Sequence, residues 1–210
     1  MRFLLLALLP LGFLSTGPIL PGDASLDPSL VRTGTDSLVV MVLQDGQLGL
    51  VGTMTFDTRT DGGDVLSRKE RLVGTGGAEV NVDSFALDAR TLAPTYRVVD
   101  GQERTTTGGA FHPNSVDIVL AALPLADGYS AELALETGGA DLAPTGTVRV
   151  RGVEQGALPS GEVCPTWEVE VVTGGRRGLY LIDQESRKLV RYFSPSEGLL
   201  INRVRGCGGE

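Results

Sequence analysis

Residues 166–183, "TWEVEVVTGGRRGLYLID", decide the fold class. Trp167, Val169 and Val171 alternate with Glu168 and Glu170, and Gly174-Gly175 then breaks the run. A period of two puts one strand face in a core and the other in water, whereas an amphipathic helix needs a period near 3.6. The pattern spreads outward from there. Val148 and Val150 face away from Arg149 and Arg151, and Tyr129, Ala131, Leu133 and Leu135 share a face. Near the other end, Leu48, Leu50, Met54 and Phe56 read as one face with Gly52 between them. Glycine punctuates the runs at Asp45-Gly46, Asp61-Gly62-Gly63, Gly74 to Gly77, Asp100-Gly101, Gly108-Gly109, Gly138-Gly139 and Gly174-Gly175. Short alternating runs between such breaks specify an all-β chain: a meander, sandwich or barrel of antiparallel strands.

One segment departs from this. In "NSVDIVLAALPLADG", Asn114 reads as an N-cap and Val116 to Leu123 as helix-compatible, with Pro124 as the stop. The spacing predicts one short helix near 115–122, with an apolar strand as the competing reading. Asp141 to Pro144 reads as a loop.

A short phrase occurs three times: "FDTRT", "LDARTLAPTYR" and "LIDQESRKLVRY", centred on Asp57, Asp88 and Asp183. Asp opens a type I turn because its carboxylate accepts backbone N–H groups two residues on. All three are read as turn formers, since no acid, base or nucleophile accompanies them.

The chain has 210 residues and a formal charge of −8, enough for one domain. Met1-Arg2 followed by the apolar Phe3–Leu14 stretch has the form of an export signal, too short to span a bilayer. Residues 1–24 are read as that signal, with Gly22 and Ala24 at the cleavage site and Ser15 and Gly17 as a second option. Residues 25–34 follow as a loose lead-in, 35–204 as a single β-domain and 205–210 as a flexible tail. The expected location is periplasmic or extracellular, with no transmembrane segment in the mature chain. The acidic charge and the absence of any basic cluster in the sequence argue against nucleic acid and anionic membrane surfaces as partners. An exported chain with two cysteines often pairs them. Cys164 and Cys207 are therefore expected as a disulfide, while two free thiols on a Gly-rich tail remain the alternative.

Catalytic signatures are sparse. His112 is the only histidine, so any triad or Cys/His pair must use it, and "AFHPNS" reads as a solvated loop. "GYSAE" around Ser130 lacks the spacing of a nucleophile elbow. The "DTRTDGGD" loop places Asp57, Asp61 and Asp64 partly as in a calcium loop, but Arg59 stands where a ligand belongs. Glu168 and Glu170 read as a solvated face. No metal, cofactor or catalytic residue is assigned.

Two longer stretches resemble a family of exported bacterial β-rich proteins of unknown function. "FALDARTLAPTYRV" resembles that family's apolar–Asp–x–x–Thr–Leu–x–Pro turn. The stretch from "GTVRVRGVEQ" to "RYFSPSEG" is similar to its second half, through Val150-Gly152-Glu154 loosely, Pro159-Ser160-Gly161, Trp167 with Val169, and Tyr180 to Arg191. "DIVLAALPLADGYSAEL" is similar to its middle. The resemblance covers about residues 35–204. It implies an antiparallel meander curled into an open or half-closed barrel, similar in architecture to periplasmic lipoprotein carriers of the LolA type. It implies no catalytic residues.

The sequence thus reads as a non-enzymatic exported cell-envelope protein. The first expectation is an apolar ligand, a lipid or acyl chain, held in the curved sheet with Leu50, Phe56, Leu133 and Trp167 lining its pocket. The alternative is an adaptor that binds another envelope protein by a sheet edge or by the face of Arg149 and Arg151.

Overall fold

The computed structural model describes residues 17–99, 101–106, 109–136 and 145–208, without the side chains of Asn81, Val82 and Val99. The expected apolar signal core, the second cleavage residue Ser15, Asp100, Gly108, the Gly138-Gly139 break and the 141–144 loop lie outside the described residues.

The N-terminal half is a meander of β1 (Gly34–Gln44), β2 (Gln47–Asp61), β3 (Val65–Gly74), β4 (Glu79–Asp88), β5 (Pro94–Val99) and β6 (Gln102–Glu103). A helix, α1 (Val116–Ala122), follows. The second meander is β7 (Ser130–Ala134), β8 (Thr145–Ala157), β9 (Val163–Thr173), β10 (Arg176–Asp183), β11 (Leu189–Ser194) and β12 (Leu199–Arg203). Antiparallel pairing of β1 with β12 fuses the halves into one 12-stranded sheet, ordered β6-β5-β4-β3-β2-β1-β12-β11-β10-β9-β8-β7. The sheet does not close, so β6 and β7 are its edges. This is the expected all-β, open-barrel class.

An unpaired edge is a template for further strands unless it is short or covered. β6 is short, at two residues. β7 is covered by a single-residue parallel bridge from Ile19 to Leu133, and just past its end a second one runs from Phe111 to Leu135. Ile19 lies within the expected 1–24 segment, and here it is buried in the core. From it the chain crosses to the β4–β5 turn, where the Gly22 N–H donates to the Thr91 carbonyl. The lead-in carries a 3-10 turn at Pro28–Leu30. Leu26 and Val31 pack on the core, and the Asp27 N–H donates to the carbonyl of Ala122 at the end of α1.

The helix fills the concave side of the sheet. Every residue of α1 except Asp117 is buried. It starts one residue later than predicted, and Asn114 is not its cap. Pro113–Ser115 forms a 3-10 turn capped by the His112 ring, and Ser115 precedes α1 without a side-chain cap bond. It stops at Leu123, which is extended at ψ 152° because Pro124 disfavours a helical residue before it.

The Cys164–Cys207 disulfide is formed. It ties the tail to β9 over a small separate cluster of Leu158, Leu181 and Val190.

Candidate functional site

The inward rows of β3 carry charge where the neighbouring strands carry Phe56 and Phe85. Leu66, Arg68 and Glu70 alternate with outward Val65, Ser67 and Lys69, and Arg68 pairs across to Thr58 and Phe85. A buried guanidinium needs compensation. Arg68 Nη1 donates to both oxygens of Asp117 at 2.9 and 2.8 Å, and its Nε to Thr58 Oγ1 at 3.1 Å. The guanidinium carbon stands 4.6 Å from the centroid of the Phe56 ring. The one polar position of α1 is thereby clamped to the sheet. Burial pushes the carboxyl of neighbouring Glu70 up to about 8, against the pull of Arg68.

Beside this clamp the starts of β1 and β11 and the end of β12 bring Asp36, Lys188 and Arg203 together. Asp36 Oδ1 accepts from Lys188 Nζ at 3.1 Å and pairs with Arg203 Nη2 at 2.9 Å. Between the two clusters is a cavity of about 20 Å³, lined by Asp36, Arg68, Asp117, Lys188 and Arg203, with Arg32 and Arg187 also on its wall. That is room for about one water-sized group. None of these charged residues is singled out by the sequence. "VLSRKERLVG" is so polar that neither of its faces looks buried; only the inward phenylalanines of the adjacent strands betray it.

His112 is not the solvated loop histidine of the sequence reading. It is 1% exposed and stacks on Phe85 with ring centroids 5.5 Å apart. The sequence misses this because the apolar partner lies on β4, far away in the chain. Burial lowers its pKa to about 4. Ser115 and Asp83 are also buried nearby, but the three are not wired as a relay. Ser115 Oγ donates to the His112 carbonyl at 2.8 Å, and His112 Nδ1 accepts from the Asn114 N–H at 3.1 Å. The ring works as a cap.

The turn reading of the aspartates divides. Asp88 Oδ1 accepts from the N–H groups of Arg90 and Thr91 and from the Thr91 hydroxyl. Asp183 Oδ1 does the same with Glu185 and Ser186. Asp57 turns nothing: β2 runs straight through it to Asp61, and it accepts from Thr35 and pairs with Arg59. The reversal waits for Gly62-Gly63, at φ 62° and 85°. In the same loop Asp61 accepts from Ser67 and Asp64 from Arg90, so the acidic groups are separately engaged.

The four residues expected around a ligand do not meet in one cavity. Phe56 is on the wall of the charged cavity. Leu133 is fully buried in the core and Trp167 packs partly buried against it. Leu50 points outward and is 58% exposed. The cause is a β-bulge: Val40 pairs with Gly52 but Met41 with Leu50, leaving Val51 as an extra residue. One extra residue reverses the face of everything beyond it. Met54 and Phe56 therefore face the core while Leu48 and Leu50 face solvent.

That reversal completes a row on the convex face. Leu50 pairs with Met41, Met41 with Leu200, Leu200 with Phe193 and Phe193 with Leu179. Leu43 and Leu48, at 44% and 55% exposure, form a second pair beside it. The row continues into charge, with Leu179 opposite Glu170 and Glu170 opposite Arg149. Glu170 is held by Arg151 and Arg177. Arg149 is exposed and has no ion-pair partner among the described residues.

No protein-family model matches the chain, and no curated protein matches it. Two solved structures are similar in shape. A β-barrel-like protein of a domain of unknown function from Brucella abortus is 11% identical, with a TM-score of 0.47 over 83% of this chain and 96% of its own. A protein of YmcC-like fold from Bacteroides fragilis is 11% identical, with a TM-score of 0.39 over 83% of this chain and 95% of its own. Likeness at this level carries nothing about function.

Proposed function

We propose that the protein is a non-enzymatic, exported adaptor that docks on another envelope protein through the outer apolar row. The carrying observation is the distribution of apolar surface. The concave side, where a carrier would hold an acyl chain, is occupied by α1. The cavity beside the helix has about 20 Å³ and charged walls, while small-molecule sites run to hundreds of Å³ and are mostly apolar. The convex side presents a contiguous apolar row that ordinary core packing does not require. Export is supported by the apolar Phe3–Leu14 stretch and by the disulfide. The matching partner surface is an apolar strip with a carboxylate placed for Arg149.

A pull-down from the envelope fraction of the producing bacterium tests this, using wild type and the Leu48→Glu, Leu50→Glu double variant. Both side chains are exposed, so the variant keeps its melting temperature. A partner recovered reproducibly by wild type and lost from the variant is the expected result. Equal recovery by both, or no partner at all, overturns the proposal.

A further inference from the structure

We propose that the charged cavity between β1, β3, β11, β12 and α1 is an oxyanion site that takes the terminal oxygens of a carboxylate or phosphate group. The balance of charge points there first. Five cationic side chains, Arg32, Arg68, Arg187, Lys188 and Arg203, line the cavity against two carboxylates, Asp36 and Asp117. This cationic excess is concentrated inside a chain of net charge −8. Both carboxylates are already engaged: Asp117 by Arg68, and Asp36 by Lys188 and Arg203. Neither Arg32 nor Arg187 has an acidic partner among the described residues.

The second observation is an unsatisfied donor. Arg203 is 3% exposed, and its Nε has no hydrogen-bond partner among the described residues, although Nη1 donates to the Gly206 carbonyl and Nη2 meets Asp36. Buried donors are nearly always paired, because leaving one orphaned forfeits its hydration. An oxyanion is the acceptor that suits a guanidinium best. The third observation is positioning. Arg187 sits at φ 60°, a left-handed conformation unusual for arginine, in the turn that Asp183 ties. From there its Nη1 reaches the Leu123 carbonyl at 3.5 Å, beyond the C-terminus of α1. The space admits about one water-sized group. The site therefore grips an anionic terminus and leaves the rest of the molecule outside. That chemistry belongs equally to a free oxyanion and to an anionic lipid headgroup.

Isothermal titration of the purified protein with inorganic phosphate, at ionic strength held constant with chloride, tests the site. The comparison is with the Arg32→Gln, Arg187→Gln double variant, whose changes lie at partly exposed positions and leave the buried pairs intact. The expected result is a saturable heat with wild type and at least a tenfold weaker one with a variant of unchanged melting temperature. No saturable heat, or equal affinity in both proteins, overturns the proposal. A second arm spins the protein with phosphatidylglycerol and phosphatidylcholine vesicles. Sedimentation with phosphatidylglycerol alone, competed by phosphate, assigns the oxyanion to a headgroup; phosphate binding without sedimentation assigns it to a free anion. Because neither arm touches Leu48 or Leu50, failure here is distinguishable from failure of the docking row.

Discussion

A single carboxylate does different work depending on whether the backbone around it reverses. Asp183 is 1% exposed and its Oδ1 accepts from two N–H groups and a hydroxyl. Asp57 stands within a strand that does not turn. Asp183→Ala is expected to cost about 2 kcal/mol, since buried N–H groups lose a charged acceptor. Asp57→Ala should fall within about 0.5 kcal/mol of wild type, as surface changes do. Urea denaturation of both variants checks this. Glu70 makes the second prediction at this scale. Its carboxyl ionises near 8 when folded, against 4.5 as the ordinary value. Between those values the folded chain holds a proton that the unfolded chain releases, so stability falls as pH rises through the window. His112 acts in the opposite sense. Its folded value near 4 lies below the ordinary 6.5, so its contribution is present above 6.5 and lost as pH falls toward 4. From pH 6.5 to 8 only the Glu70 effect remains, worth up to about 2 kcal/mol. Wild type should lose stability over that range, and Glu70→Gln should be flat.

Among the elements, the strands were the most legible and their faces the least. Val148 against Arg149, or Val169 against Glu170, alternates cleanly because one side meets a core and the other water. The β2 alternation looked equally clean, yet the bulge at Val51 turns Leu48 and Leu50 outward. Gly52 was the available signal: a Cβ there would stand 2.2 Å from the Val73 carbonyl, so only glycine fits beside that kink. The charged interior was illegible for a different reason. Arg68, Glu70 and Asp117 follow strand and helix periodicity with the wrong polarity, and only their pairing across elements makes burial tolerable. That pairing predicts a contrast. Arg68→Ala alone leaves the Asp117 carboxylate, only 11% exposed, uncompensated and should cost about 3 kcal/mol or more. Arg68→Met with Asp117→Leu should cost much less, because removing both charges removes the desolvation penalty as well. A double-mutant cycle in urea measures the difference.

For the whole molecule, the two meanders are joined by one strand pair, β1 with β12, and by the helix they enclose. The disulfide acts elsewhere, pinning the tail to β9. Cys164 and Cys207 are 43 positions apart, so their bond restrains a long stretch of the unfolded chain. Chain entropy sets its stabilisation at about 4 kcal/mol as an upper figure. The Cys164→Ser, Cys207→Ser variant should be less stable in urea by up to that amount, and unfold at lower temperature, while keeping its strand content by circular dichroism. Its pairing could be expected from compartment, since exported chains oxidise their thiols. The filling of the concave side could not. Nothing in "SVDIVLAAL" distinguishes a helix that plugs a sheet from one that caps an open pocket, because both need the same apolar residues.

Native mass spectrometry of the protein, purified from the envelope without detergent, bears most directly on the filled interior and the outward docking face. The account predicts a complex with a second protein that dissociates in the Leu48→Glu, Leu50→Glu variant, and no lipid-sized mass retained in the isolated chain after solvent extraction is compared. A lipid retained by that variant as firmly as by wild type would contradict it, placing the ligand within the sheet and making α1 a movable plug.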